Sequence, residues 1–126
     1  MQNSESNKKK ILVIDDDPSL RETLCDIIML EGHVPVEAAC GKEGCEIYKN
    51  DMDNIGFVIL DLVMPEISGL ETFYMLREIN ENVKIIVNSG YDENEDILEM
   101  LNNGAVGFLH KPFRINELIS IIKRNE

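Results

Sequence analysis

Five polar residues able to do chemistry stand at the ends of short apolar runs. Asp15 and Asp16 follow Ile11-Leu12-Val13-Ile14, and Asp61 follows Phe57-Val58-Ile59-Leu60. Ser89 stands one residue beyond Val83-Lys84-Ile85-Ile86-Val87, and Lys111 follows Val106-Gly107-Phe108-Leu109-His110. In an open sheet of parallel strands, ligands bind in the crevice beyond the carboxyl ends of the strands. If these runs are neighbouring parallel strands, three carboxylates, a hydroxyl and an ammonium converge on one pocket. Two carboxylates roughly 4 Å apart repel by about 4 kcal/mol at an effective dielectric near 20. Such a cluster is stable when it holds a cation or when some of its members are protonated. Oxygen-only ligands with room for water suit Mg²⁺, which takes one or two carboxylates and completes its shell with water or phosphate oxygens. The set therefore suits a divalent cation and a phosphoryl group, with Asp61 placed as the acceptor.

The elements that must position these residues alternate along the chain between strand-like and helix-like periodicity, the mark of an α/β fold. Asp17 is placed to cap a helix with Pro18 at its first position, where the missing N–H costs nothing. Leu20, Leu24, Ile27 and Ile28 give that helix one apolar face, and Gly32 is a natural terminator. Val34-Pro35-Val36 reads as an edge strand, because proline cannot donate to a sheet ladder. A second helix is expected from Lys42 to about Lys49, weakened by Gly44. After the strand that delivers Asp61 comes a loop, Leu62 to Ile67. Ser68 with Glu71, and Asp92 with Glu95, have the spacing of capping boxes opening the third and fourth helices. Gly104 ends the fourth helix, and Ile115, Leu118, Ile119 and Ile122 form the apolar face of the fifth. Five strands and five helices with the second strand at an edge fit a doubly wound (βα)₅ three-layer sandwich, its parallel sheet ordered 2-1-3-4-5. Asp15, Asp16 and Asp61 then flank the switch point between strands one and three.

A length of 126 residues suits one domain, read as 10–126 behind a polar tail at 1–9. Hydrophobic residues make up 44 %, enough for a packed core. A net charge of −12 argues against direct nucleic-acid binding, which needs clustered Lys and Arg, and against anionic membrane surfaces. No apolar stretch approaches the roughly 20 residues of a membrane-spanning helix, and the first ten residues lack the apolar core of a signal peptide. Cys25, Cys40 and Cys45 show no metal-ligand spacing and read as thiols in a reducing compartment, so the cytoplasm is the expected location. His33 and His110 have no His or Cys neighbours, and no metal or catalytic role is expected of them.

Four segments together carry a resemblance. Ile11-Leu12-Val13-Ile14-Asp15-Asp16-Asp17-Pro18, Asp61-Leu62-Val63-Met64-Pro65 with Gly69, Ser89-Gly90-Tyr91 and Lys111-Pro112-Phe113 resemble, in order and spacing, the motifs of response-regulator receiver domains. The likeness covers the chain from Lys10 onward. It implies a phosphoacceptor of a two-component or phosphorelay pathway rather than an enzyme. Asp61 would take a phosphoryl group from a phosphohistidine, with Mg²⁺ held by Asp16, Asp61 and the main-chain carbonyl of Val63, and by Asp15 directly or through water. Lys111 would pair with one phosphoryl oxygen and the Ser89 hydroxyl would donate to another. A cis Lys111-Pro112 bond and an aromatic switch at Phe108 are also implied, although Phe108 lacks the hydroxyl of the tyrosine common there. The implied partner is a histidine kinase or histidine phosphotransfer domain, docking near Ser19, Thr23, Asp26, Pro112 and Phe113, and the chain would be a monomer or a weak phosphorylation-dependent dimer.

Asp15-x-Asp17 after an apolar strand also resembles the nucleophile motif of haloacid-dehalogenase-type phosphatases, with Asp15 as nucleophile. That alternative leaves Asp61 and Lys111-Pro112 unexplained. A nucleotide-binding module would need a phosphate-cradling loop after the first strand, and Asp15-Asp16-Asp17-Pro18 has the wrong charge for one. A receiver-fold adaptor that is never phosphorylated would have no use for the full acidic, hydroxyl and lysine set.

Overall fold

The computed structural model describes residues 9–90 and 94–126. Five strands, β1 (Lys10–Ile14), β2 (Val34–Ala38), β3 (Ile55–Asp61), β4 (Ile85–Ser89) and β5 (Gly107–His110), alternate with five helices, α1 (Pro18–Leu30), α2 (Gly41–Asp51), α3 (Gly69–Ile79), α4 (Glu95–Asn102) and α5 (Ile115–Arg124). A short 3₁₀ turn, Met52–Asn54, leads from α2 into β3. All strand pairings are parallel and the order is β2-β1-β3-β4-β5. The proline-bearing strand therefore lies at an edge, as its missing donor requires.

The central strands read as continuous apolar runs because the sheet is covered on both faces. Alternate residues serve opposite layers. Ile11, Val13, Phe57, Ile59, Ile86 and Leu109 pack against Leu24 and Ile28 of α1 and Leu118, Ile121 and Ile122 of α5. Leu12, Ile14, Val58, Leu60, Ile85 and Val87 pack against α2, α3 and α4 through Tyr48, Phe73, Leu76, Ile97 and Met100. This is the expected three-layer sandwich.

Helix ends follow local chemistry. The Asp17 side chain accepts from the N–H groups of Ser19 and Leu20, and Pro18 opens α1. Gly32, at φ +88°, turns the chain out of that helix, where a residue with a Cβ would be strained. Ser68 and Glu71 form the reciprocal capping box expected at α3. Three expectations need correction. Helix α4 is capped by Asn94, whose side chain accepts from Ile97 N at 3.0 Å; Asp92 lies outside the described residues. Strand β4 begins at Ile85 rather than Val83 and includes Ser89. Helix α2 is longer than expected despite Gly44, because a Cβ there would lie 2.3 Å from Ile14 Cδ1. The glycine lets α2 sit closely on β1, and tertiary packing outweighs its low helix propensity.

Candidate phosphoacceptor site

The register of the sheet brings the predicted residues together. Ile14 pairs with Leu60, so Asp15 and Asp61 emerge side by side as the next residues of β1 and β3. One carboxylate oxygen from each of Asp15, Asp16 and Asp61 lies within 4.8 Å of the others. Asp15 is buried, Asp16 is exposed and Asp61 is only 6 % exposed. The adjacent pair can share one site because β1 has ended at Ile14 and the chain is already turning. Asp15 Oδ1 accepts from Asp17 N at 2.9 Å, and the Asp15 carbonyl accepts from the Arg21 guanidinium at 2.6 Å. Arg21, held in turn by Glu37 at 3.0 Å, thus braces the start of α1 beneath the acidic group. No side-chain spacing in the sequence points to Arg21.

Lys111 Nζ lies 3.1 Å from Asp61 Oδ1 and 3.6 Å from Asp15 Oδ2. The expected cis bond joins Lys111 to Pro112. Lys111 N also donates to the Ser89 carbonyl at 2.7 Å, which ties the end of β5 to the end of β4. Ser89 is buried on the same edge of the sheet, and Val63 stands two residues beyond Asp61 with its side chain 55 % exposed. Phe108 is half-buried and packs on the core beneath α4, with its ring edge-on to His110. Tyr91 lies outside the described residues.

Burial is the main force raising the pKa of Asp61. Desolvation pushes its pKa up to about 6, and the Asp15 charge adds to that; Lys111 opposes both, and Asp16 raises it a little further. Near neutral pH Asp61 is therefore an ionised carboxylate that its surroundings tolerate poorly, a reactive condition for a nucleophile. Asp15 Oδ2, buried in the cluster, has no hydrogen-bond partner among the described residues. An unsatisfied buried carboxylate oxygen facing two further carboxylates, with one lysine beside them, is a donor set that fits a hard divalent cation.

Gly69 completes the site from behind. Its N–H donates to Leu62 O at 2.9 Å, and a Cβ there would lie 2.5 Å from the Asp61 carbonyl. Only a glycine lets α3 begin so close to the backbone that carries Asp61. In the intervening loop Glu66 holds a left-handed conformation, φ 67°, uncommon for a residue with a side chain.

Fold and site define a doubly wound α/β protein with an acidic, lysine-bearing crevice at the carboxyl end of its sheet. The sequence profile of the response regulator receiver domain matches residues 11–123. The chain is 33 % identical over 117 residues to the chemotaxis protein CheY of Thermotoga maritima, covering 92 % of this chain and 96 % of that one. It is 30 % identical over 116 residues to sporulation initiation phosphotransferase F of Bacillus subtilis, covering 92 % of each. The crystal structure of the CheX–CheY–BeF₃–Mg complex from Borrelia burgdorferi superposes with a TM-score of 0.89 at 27 % identity, covering 97 % of this chain and 92 % of that one. The chain belongs to the receiver domains of response regulators, the receiving units of two-component signalling.

Proposed function

We propose that residues 10–126 form a receiver unit in which Asp61 accepts a phosphoryl group from a phosphohistidine. The observation that carries this reading is the Asp61 carboxylate itself: buried, within 4.8 Å of the Asp15 and Asp16 oxygens, and 3.1 Å from Lys111 Nζ. An Asp61 oxygen attacks phosphorus as the phosphorus–nitrogen bond to imidazole breaks. The donor reacts as the phosphoimidazolium, protonated on its other ring nitrogen, so the electron pair of that bond stays on the ring and neutral imidazole leaves. Lys111 follows the negative charge from the carboxylate to a phosphoryl oxygen, acting as a compact point charge. The Ser89 hydroxyl, buried at the end of β4, donates to a second oxygen. Asp15, Asp16, Asp61 and the Val63 carbonyl would hold Mg²⁺, which when bound neutralises charge on the phosphoryl oxygens. Support for a metal in such a site comes from the Borrelia complex of CheX and CheY, which contains Mg²⁺ together with BeF₃.

One acceptor takes one phosphoryl group, so the chain acts as a signalling intermediate rather than as an enzyme. No described helix is long and apolar enough to cross a membrane, and we assign the chain to the cytoplasm as a monomer or weak phosphorylation-dependent dimer. Incubation with acetyl phosphate and Mg²⁺ is expected to add the mass of one phosphoryl group, mapped by peptide analysis to Asp61. Absence of the adduct, or its appearance at another residue, would overturn the reading.

The partner is a histidine kinase or histidine phosphotransfer domain. A groove of about 350 Å³ beside the site is lined by Leu20, Thr23, Leu24 and Ile27 of α1 with Lys111, Pro112 and Phe113. Its apolar floor, ending at Lys111, would receive a partner helix and bring its phosphohistidine over Asp61. Replacing Thr23 and Phe113 by alanine should slow phosphohistidine transfer at least about tenfold, the effect of losing one good anchor. Acetyl phosphate labelling should be unchanged. Equal loss of both reactions would remove the docking argument.

A further inference from the structure

Strand β4 carries a polar residue in a place that favours an apolar one. Ile86 faces α1 and α5, so Asn88, two residues on, has its side chain on the same face. The register places it between Asp61 of β3 and Leu109 of β5. Asn88 is 1 % exposed, and neither atom of its carboxamide has a hydrogen-bond partner among the described residues. A buried amide without partners destabilises a fold, and an aliphatic residue of similar size would not. The chain therefore keeps a destabilising group directly beside the acceptor, the kind of local conflict found where function requires it.

Lys111 explains what the group is for. It follows β5 and its Nζ lies 3.1 Å from Asp61 at the end of β3, so its side chain crosses the end of β4. Asn88 is the last β4 residue on the crossed face, because Ser89 faces the opposite layer. We propose that Asn88 is a positioning residue for Lys111: its carboxamide oxygen takes one ammonium proton when Nζ leaves Asp61 for the phosphoryl group. In the resting site Nζ is engaged by Asp61 and Asp15, which leaves the carboxamide unused. Once an Asp61 oxygen carries the phosphoryl group as an acyl phosphate, charge moves outward, and an ammonium with three protons can serve a phosphoryl oxygen and Asn88 together. This inference rests on Asp61 being the acceptor.

The test is a double-mutant cycle on acetyl phosphate labelling in Mg²⁺, with Asn88→Leu and Lys111→Ala singly and together. Asn88→Leu should raise the melting midpoint, leave Mg²⁺ affinity by calorimetry unchanged and slow labelling roughly tenfold, the worth of one hydrogen bond to a charged group. In the Lys111→Ala background the same change should have no further effect on the rate. Asn88→Ser, which keeps an acceptor oxygen, should stay within about threefold of wild type, a fraction of that hydrogen bond's worth. Wild-type labelling in Asn88→Leu, the same slowing in both backgrounds, or equal slowing in Asn88→Ser would overturn the inference. Failure of the unaltered chain to label at Asp61 would instead overturn the acceptor assignment on which it rests.

Discussion

Asp61→Asn is expected to take up no phosphoryl group from acetyl phosphate in Mg²⁺, and to melt at a higher temperature than wild type at pH 7 in Mg²⁺-free buffer. Loss of labelling follows because a carboxamide oxygen is too weak a nucleophile. The gain in stability follows from the raised pKa. Burial first, and the Asp15 charge second, lift the Asp61 pKa from 3.8 to about 6. A carboxyl group that holds its proton more tightly when folded stabilises the fold fully below its unfolded pKa. That contribution is lost as pH rises through the folded value. Over the whole titration the loss is roughly 3 kcal/mol at 1.36 kcal/mol per pKa unit, most of it between pH 4 and pH 7. Asparagine has no charge to bury and escapes the loss. That loss is already net of the attraction of Lys111, which lowers the Asp61 pKa against burial. The net rise in midpoint should be about 3–8 °C at pH 7 for a domain of this size. It should shrink towards pH 4.5, and Mg²⁺ should narrow it by stabilising the wild type. Circular dichroism melts from pH 4.5 to 7, with and without Mg²⁺, give the comparison. A pH-independent difference would refute the burial argument, and undiminished labelling of the variant at Asp15 would support the phosphatase-like alternative.

The strand ends were legible in the sequence because each chemical residue directly follows an apolar run. A parallel sheet covered on both faces makes such runs conspicuous, and its carboxyl edge gathers whatever follows them. The edge position of β2 could be read from one residue, Pro35, and with five alternating strands and helices it fits the order 2-1-3-4-5. Helix starts were legible where a side chain caps its own backbone, as at Asp17 and Ser68. Where two capping residues lie close together, local spacing does not choose between them, and Asn94 caps α4 in place of Asp92. Gly44 weakens the helix expected there because propensity is a local quantity. What keeps it in α2 is the side chain of Ile14, thirty positions away in the chain. Asn88 was hidden for a related reason. A single polar residue between Val87 and Ser89 looks like the end of a strand. Its burial, and its place between Asp61 and the strand that leads to Lys111, emerge only once β3, β4 and β5 are in register. Arg21 reaches back to a backbone carbonyl, and no side-chain motif records such a contact.

The second large effect expected concerns how long the phosphoryl group persists. An aspartyl phosphate is lost when water attacks phosphorus in line, opposite the aspartate oxygen. The resemblance to receiver domains implies that the side chains two positions after the acceptor and two after the hydroxyl residue would flank that approach. Here these are Val63 and Tyr91. Val63 is 55 % exposed at the mouth of the site and has no polar group with which to hold water. Tyr91, which lies outside the described residues, brings a bulky ring in place of a carboxylate or carboxamide. Orienting and partly deprotonating a water is worth roughly 10–100-fold when a positioned side chain does it. The chain is therefore expected to lose its phosphoryl group slowly, and Val63→Asn with Tyr91→Glu to accelerate the loss by about that factor. The Val63 substitution keeps the main-chain carbonyl assigned to Mg²⁺, so labelling should survive it and the change should lie in decay alone. Phosphoprotein freed of donor and held in excess Mg²⁺ can be followed by intact mass over time. Wild-type decay as fast as that of the double variant would mean that water reaches the phosphorus without help from either position, and that the lifetime is set elsewhere in the site.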